Sequence, residues 1–346
     1  MRSVENDDAP YVSTGHLPSP EQVRRSLDEA YERYRATADG ELSRVYPALT
    51  RVPPDLFGIC AVGARGGTYA VGDAEAGFTI MSVAKPFVFA LVCAVVGPQE
   101  LRHRLGVNAT GRPFNSLAAV ENGRDGRTNP MVNPGAIATA SQVPGASTEA
   151  RWATLHAGLS RFAGRRLPLD EEVYASASAT NHRNRALADL LQVYGLLGCD
   201  PVAAVDLYTR QSCLRVTAVD LAVMGATLAN GGVNPHTGVR VVDASVCHYT
   251  LAVMATAGLY ETSGDWLYDV GVPGKSGIGG GLVVISPGKG ALSAFAPRVD
   301  SFGNSVKGQL AARFLSRRLG LTLFASEPAR RPEPEPGPTG RPDAGE

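Results

Sequence analysis

An α+β fold, in which one antiparallel sheet draws its strands from both ends of the chain and a helical region is inserted between them, is predicted by three features of this 346-residue sequence. A strand-turn-strand pattern occurs early, over 56–71, and a second occurs late, over 281–296. Between about 98 and 270 the chain alternates Ala/Leu-rich helical stretches with Gly/Pro loops. Hairpins so far apart must pair with each other to bury their apolar faces, which leaves the helical region facing the sheet across a cleft.

The elements follow in order. Pro18-Ser19-Pro20 is a helix start signal, and Val23, Leu27, Ala30, Tyr31 and Tyr34 recur at helical spacing over 21–36. Leu56 to Val62, the turn Gly63-Ala64-Arg65-Gly66-Gly67 and Thr68 to Val71 form the first hairpin. A buried helix is expected at Ser82 and through the apolar run Phe87 to Val96, then helices at 184–194 and 218–230. Gly281 to Ile285, a turn at Ser286-Pro287-Gly288-Lys289-Gly290 and Leu292 to Ala296 make the second hairpin, and an amphipathic helix over 305–319 closes the domain. Residues 1–18 and the Pro/Arg/Glu-rich 326–346 are too polar to order themselves, so 19–325 is expected as the folded domain with a helical subdomain at about 98–270.

Composition narrows the function classes. Formal net charge is zero, with acids and bases interspersed, which argues against nucleic acid or an anionic membrane surface and for a small neutral or zwitterionic ligand. The ten-residue apolar run from Phe87 is too short to span a bilayer, and the acidic N-terminus lacks an apolar signal region, so a cytoplasmic protein is expected. Five widely spaced cysteines read as reduced core thiols. No His pair at metal-ligand spacing and no Cys-x-x-Cys occur, so neither metal nor cofactor is expected.

Chemistry is indicated by a shortage. Of 33 basic residues only Lys85, Lys275, Lys289 and Lys307 are lysine. Lysines that survive such an Arg bias mark places where an amine must be able to lose its proton. Ser82-Val83-Ala84-Lys85 puts a hydroxyl and an amine one helical turn apart, and burial of that turn would neutralise the amine and let it take the Ser82 proton. Alone, the pattern describes equally well a helix cap followed by a surface lysine. Ser286-Pro287-Gly288-Lys289 fits it too, but Pro and Gly make that copy a turn.

A second motif adds weight. Lys275-Ser276-Gly277 stands immediately before a predicted strand, as the Lys-Thr/Ser-Gly triad does in β-lactamases and penicillin-binding proteins, where backbone N–H groups help form the oxyanion hole. A phosphate loop at 277–281 is disfavoured because a strand, not a helix, follows. The Ser-x-Asn or Tyr-x-Asn tripeptide of that class is missing, so a tyrosine is the natural proton shuttle.

At this point the chain resembles the bacterial serine-dependent glutaminases from about residue 20 to 325. The resemblance rests on Phe78 to Lys85, Pro113-Phe114-Asn115-Ser116, Asn129 to Ile137, Asn184-Arg185-Ala186, Tyr208 to Gln211, Gly258 to Gly264, Lys275 to Gly281 and Gly303 to Gly308. It implies a β-lactamase/transpeptidase-like fold and hydrolysis of L-glutamine to glutamate and ammonia. Ser82 would be the nucleophile, Lys85 the base and Tyr260 the proton-shuttling tyrosine. It further implies substrate contacts from Asn133, Asn184, Tyr208 and the backbone of Ile278, and a homodimer or homotetramer. Taken singly, each Asn and Tyr here would read as a cap or as core packing.

Two departures stand out. The family carries a Glu seven residues before the position of Asn184, facing the substrate's α-ammonium, and a Tyr in a Tyr-Ile-Pro segment; this chain has Ala177 and Val45 there. Alternatives therefore stay open: an amidase for a substrate without the α-ammonium, or a non-catalytic binding protein that kept the fold.

Overall fold

The computed structural model describes residues 15–325; 1–14 and 326–346, most of the two segments expected to be disordered, lie outside that range. Five strands form an antiparallel sheet: β1 (Gly58–Gly63), β2 (Thr68–Gly72), β3 (Gly274–Ser276), β4 (Gly281–Ser286) and β5 (Gly290–Phe295), in the spatial order β2-β1-β5-β4-β3. The two hairpins thus meet at the β1–β5 seam, where Gly58 faces Phe295 and Val62 faces Ala291.

The helices that matter for the site are α1 (Pro20–Tyr34), α2 (Lys85–Val96), α3 (Asn133–Ser141), α4 (Glu171–Thr180), α5 (His182–Val193), α6 (Pro201–Ser212), α7 (Ala218–Ala229) and α8 (Val306–Arg318). Apart from the helix expected at Ser82, where α2 begins only at Lys85, the expected helices and hairpins fall within a residue or two of these bounds, with Ser19 and Ser305 capping α1 and α8 through their hydroxyls.

Strand periodicity divides the core. On β1, β4 and β5, residues Cys60, Val62, Val283, Ile285, Ala291 and Phe295 point into one apolar cluster, while Ile59, Ala61, Leu282, Val284 and Leu292 point into another. Both faces of the central strands are therefore covered, which is why β4 is apolar without alternation. On the first face α7 comes close enough that a Cβ at Gly225 would stand 2.7 Å from that of Ala291; α1 and α8 cover the second. Among the described residues no single helix is long and apolar enough to cross a membrane, and the five cysteines are unpaired, four of them buried.

Candidate active site

Ser82 is not in a regular helix. It lies in a 3-10 turn, Met81–Ala84, that leads into α2 at Lys85. Met81 adopts a left-handed backbone (φ 47°), an uncommon and strained state for a residue with this side chain. The turn is held from outside: Ile80 N–H donates to the Leu214 carbonyl at 2.9 Å, and the chain leaving β3 is pressed against it. A Cβ at Gly277 would stand 3.1 Å from the Ser82 nitrogen and 3.2 Å from the Ile80 oxygen, and one at Gly279 would stand 2.8 Å from the Thr79 oxygen. Glycine is required here so that two backbones can touch, and that contact places Ile278 beside Ser82 in the wall of one cleft.

Ser82 and Lys85, paired by their spacing in the sequence, are brought together. Lys85 Nζ lies 3.0 Å from Ser82 Oγ and 2.8 Å from Asn133 Oδ1, with Lys85 only 2% exposed. Among the described residues no carboxylate compensates its charge, and burial lowers the amine from 10.5 to about 7. A neutral amine has two N–H groups and one lone pair. Donation to Asn133 Oδ1 leaves the lone pair available to Ser82.

Asn133, at the start of α3, is fixed by its neighbours. Its Oδ1 also accepts from Tyr208 O–H at 3.0 Å, and its Nδ2 donates to Asn184 Oδ1 at 3.0 Å. The chain continues from Asn184 to Asn181 and from Asn181 Nδ2 to Thr209 Oγ1 at 2.8 Å, while Tyr46 O–H approaches Asn181 Oδ1 at 3.5 Å. Asn133, Asn184 and Tyr208, read from the sequence as substrate contacts, do line the cleft, and Asn133 is in addition a direct partner of Lys85.

Tyr260 adjoins the cleft, against Ser82 and Phe114 of its lining. Its backbone is also left-handed (φ 57°), and its ring packs on Phe114 with centroids 4.7 Å apart. Ser82 stands beside its hydroxyl, yet hydrogen-bond geometry is met by the Ser276 carbonyl, at 3.2 Å. Burial holds that hydroxyl protonated, above its usual range, with Ser82 and Ser276 offsetting part of the effect. Beneath the ring, Lys275 Nζ lies 4.0 Å from the centroid and donates to the carbonyls of Gly258 (2.8 Å) and Ser276 (2.7 Å). Burial, and then the nearby Lys85, lower its pKa well below 10.5.

The remaining lysines separate cleanly. Lys307 is buried and ties the start of α8 to the Arg35 carbonyl at 2.8 Å, whereas Lys289 is at the surface in the expected turn, its N–H on the Ser286 carbonyl. Sequence reasoning missed Tyr46, Asn181 and Arg183, all in the cleft wall. Val45 is 53% exposed at the cleft, while Tyr46 beside it turns inward, so a tyrosine hydroxyl reaches this wall from position 46. Ala177 is fully buried in a small apolar cluster with Tyr46 and Met81.

The cleft holds about 90 Å³. Hollows of about 410 and 420 Å³ lie around Arg102–Thr128 and around Tyr194–Gly198, but neither is lined by Ser82 or any other part of the dyad. Among the described residues no group of His, Cys, Asp and Glu could hold a metal ion.

A β-lactamase-like α+β fold with a serine hydroxyl on a buried lysine of lowered pKa defines the class of serine acyl-transfer proteins. Comparison with known proteins makes the class specific. The glutaminase family model matches residues 40–324. Glutaminase 2 of Yersinia pestis is 64% identical over 318 residues, covering 92% of this chain and 94% of that protein. A glutaminase of Brucella canis is 46% identical over 308 residues, covering 89% and 97%. A solved structure described as a probable glutaminase, ybaS, superposes with a TM-score of 0.88 at 39% identity, covering 89% of this chain and 100% of that one. Mglu in its native form gives 0.84 at 36% identity, covering 90% and 74%. The chain belongs to the glutaminase family.

Proposed function

We propose that this protein hydrolyses the side-chain amide of L-glutamine through an acyl-enzyme on Ser82. The observation that carries the reading is the 3.0 Å contact between Ser82 Oγ and an amine lowered to about 7 with no counter-ion. Lys85 Nζ takes the hydroxyl proton as Oγ attacks the amide carbon, and the oxyanion that forms faces the Ile278 backbone N–H. The C–N bond breaks as the nitrogen receives a proton from Lys85, with Tyr260 O–H as the relay, and ammonia leaves. Water then attacks the ester carbon, gives a proton to Lys85, and glutamate departs as Ser82 Oγ regains it.

Asn133 and Tyr208 keep the amine aimed at Ser82, and Asn184 extends that frame toward substrate. Cytoplasmic homodimers or homotetramers belong to the same reading. Supporting it, one solved relative is described as Mglu in its glutamate form.

The test is ammonia release from glutamine, with intact-mass detection of an adduct on Ser82 from an electrophilic glutamine analogue. Turnover and labelling that both vanish in Ser82→Ala are expected. No turnover at tens of millimolar glutamine together with no adduct would instead leave a non-catalytic binding protein.

A further inference from the structure

Among the described residues no aspartate or glutamate lines the cleft, whereas Arg183 does. Arg183 is exposed, donates Nε to the Asn115 carbonyl at 2.8 Å, and has no carboxylate within ion-pair distance among the described residues. Its two Nη groups are thus free to hold an anion in the planar fork that suits a carboxylate. The rest of this wall is neutral: Tyr46 and Asn184 both meet Asn181. Beneath it Ala177 offers a buried methyl.

Among the described residues no acidic side chain on the elements behind the wall lines the cleft, and three of them are engaged elsewhere. Glu172 pairs with Arg51, Asp206 with Arg210 and the Tyr174 hydroxyl, and Asp170 caps α4 through the Val173 N–H at 3.0 Å. A ligand entering here therefore meets one free guanidinium and, buried next to Ser82, an amine that becomes a cation whenever it accepts a proton. Both disfavour an ammonium on the ligand and favour a carboxylate.

We propose that the cleft prefers ω-amides of dicarboxylic acids that carry no α-ammonium, with the free carboxylate on Arg183 and the amide on Ser82. This rests on the amide-hydrolase reading above. Free glutamine is then the weaker substrate, because its ammonium is desolvated beside a cation with no anion to receive it. The chemistry is unchanged: the amide C–N bond breaks, ammonia leaves, and water releases the dicarboxylate from the Ser82 ester.

The test compares kcat/KM for ammonia release from glutaric acid monoamide and from L-glutamine, which differ only in the α-ammonium, using the full chain at pH 8. The monoamide is expected to exceed glutamine about ten-fold or more, the value of one charged contact, with the difference in KM. Arg183→Gln, an exposed substitution, should raise KM for the monoamide by a similar factor and leave kcat within two-fold. Glutamine equal to or better than the monoamide overturns the preference and leaves the amide-hydrolase reading standing. Ammonia from neither substrate removes that reading and the preference with it.

Discussion

Lys85→Met removes a buried amine and keeps most of its apolar stem, so it measures what a neutral lysine costs the fold. In the unfolded chain this amine titrates near 10.5, and in the folded one near 7. Below 7 both states carry the proton and the folded state bears the whole penalty. Between 7 and 10.5 the folded protein releases the proton while the unfolded chain keeps it, and the penalty falls. Stability from this group therefore rises with pH. At 1.36 kcal/mol per factor of ten, the penalty is about 4 kcal/mol at pH 7 and about 2 kcal/mol at pH 9. The substitution also deprives Ser82 Oγ and Asn133 Oδ1 of a partner, a loss of about 1–3 kcal/mol that does not vary with pH, and Asn133 keeps its bond from Tyr208. Urea unfolding of both proteins at pH 7 and pH 9 isolates the titrating part. The stability of Lys85→Met relative to the parent should fall by about 2 kcal/mol between the two. A difference that stays constant, or grows in favour of the variant, would show that the lysine is charged in the folded protein and would refute the case for it as a base.

Two further outcomes follow from the same geometry. With a substrate that does not ionise between pH 5 and 9, kcat/KM should climb about ten-fold per pH unit below about 7 and level off above it, while Lys85→Arg loses about 10²- to 10⁴-fold; a flat profile in the parent counts against the assignment. Gly277→Ala should lower kcat far more than it raises KM, because its methyl would press on the Ser82 nitrogen and the Ile80 oxygen at 3.1 and 3.2 Å, and steady-state kinetics showing kcat within two-fold of the parent would remove the turn from the mechanism.

Much of the fold is legible because the hairpins and α1, α7 and α8 announce themselves by local periodicity and caps. The 3-10 turn at Met81–Ala84 is not, since Ser-x-x-Lys spacing is compatible with either helix type and the deciding contact comes from Gly277, far along the chain. The site divides in the same way. Ser82 and Lys85 are readable as a spacing; Asn133, Asn184, Tyr208, Tyr260 and Ile278 are readable only through a shared pattern of motifs. Tyr46 and Asn181 meet across 135 positions, and Arg183 is one of many arginines. No window of sequence encodes such neighbours, because they are created when α5, α6 and the segment before β1 converge. The Arg bias proved informative in another sense: of the four lysines, three are buried, where an amine's smaller head and adjustable charge are needed.

The seam at which Gly58 meets Phe295 has a consequence for how this protein comes into being. During synthesis the first hairpin leaves the ribosome long before the strand that completes it, so its apolar faces must wait, with a large loop-closure entropy to overcome once the partner arrives. The nucleophile and its base are translated early, but the glycine that braces their turn and the tyrosine beside them come late. A nascent or prematurely terminated chain that already contains both Ser82 and Lys85 therefore holds an inert pair, and hydrolytic competence begins only when the C-terminal hairpin docks.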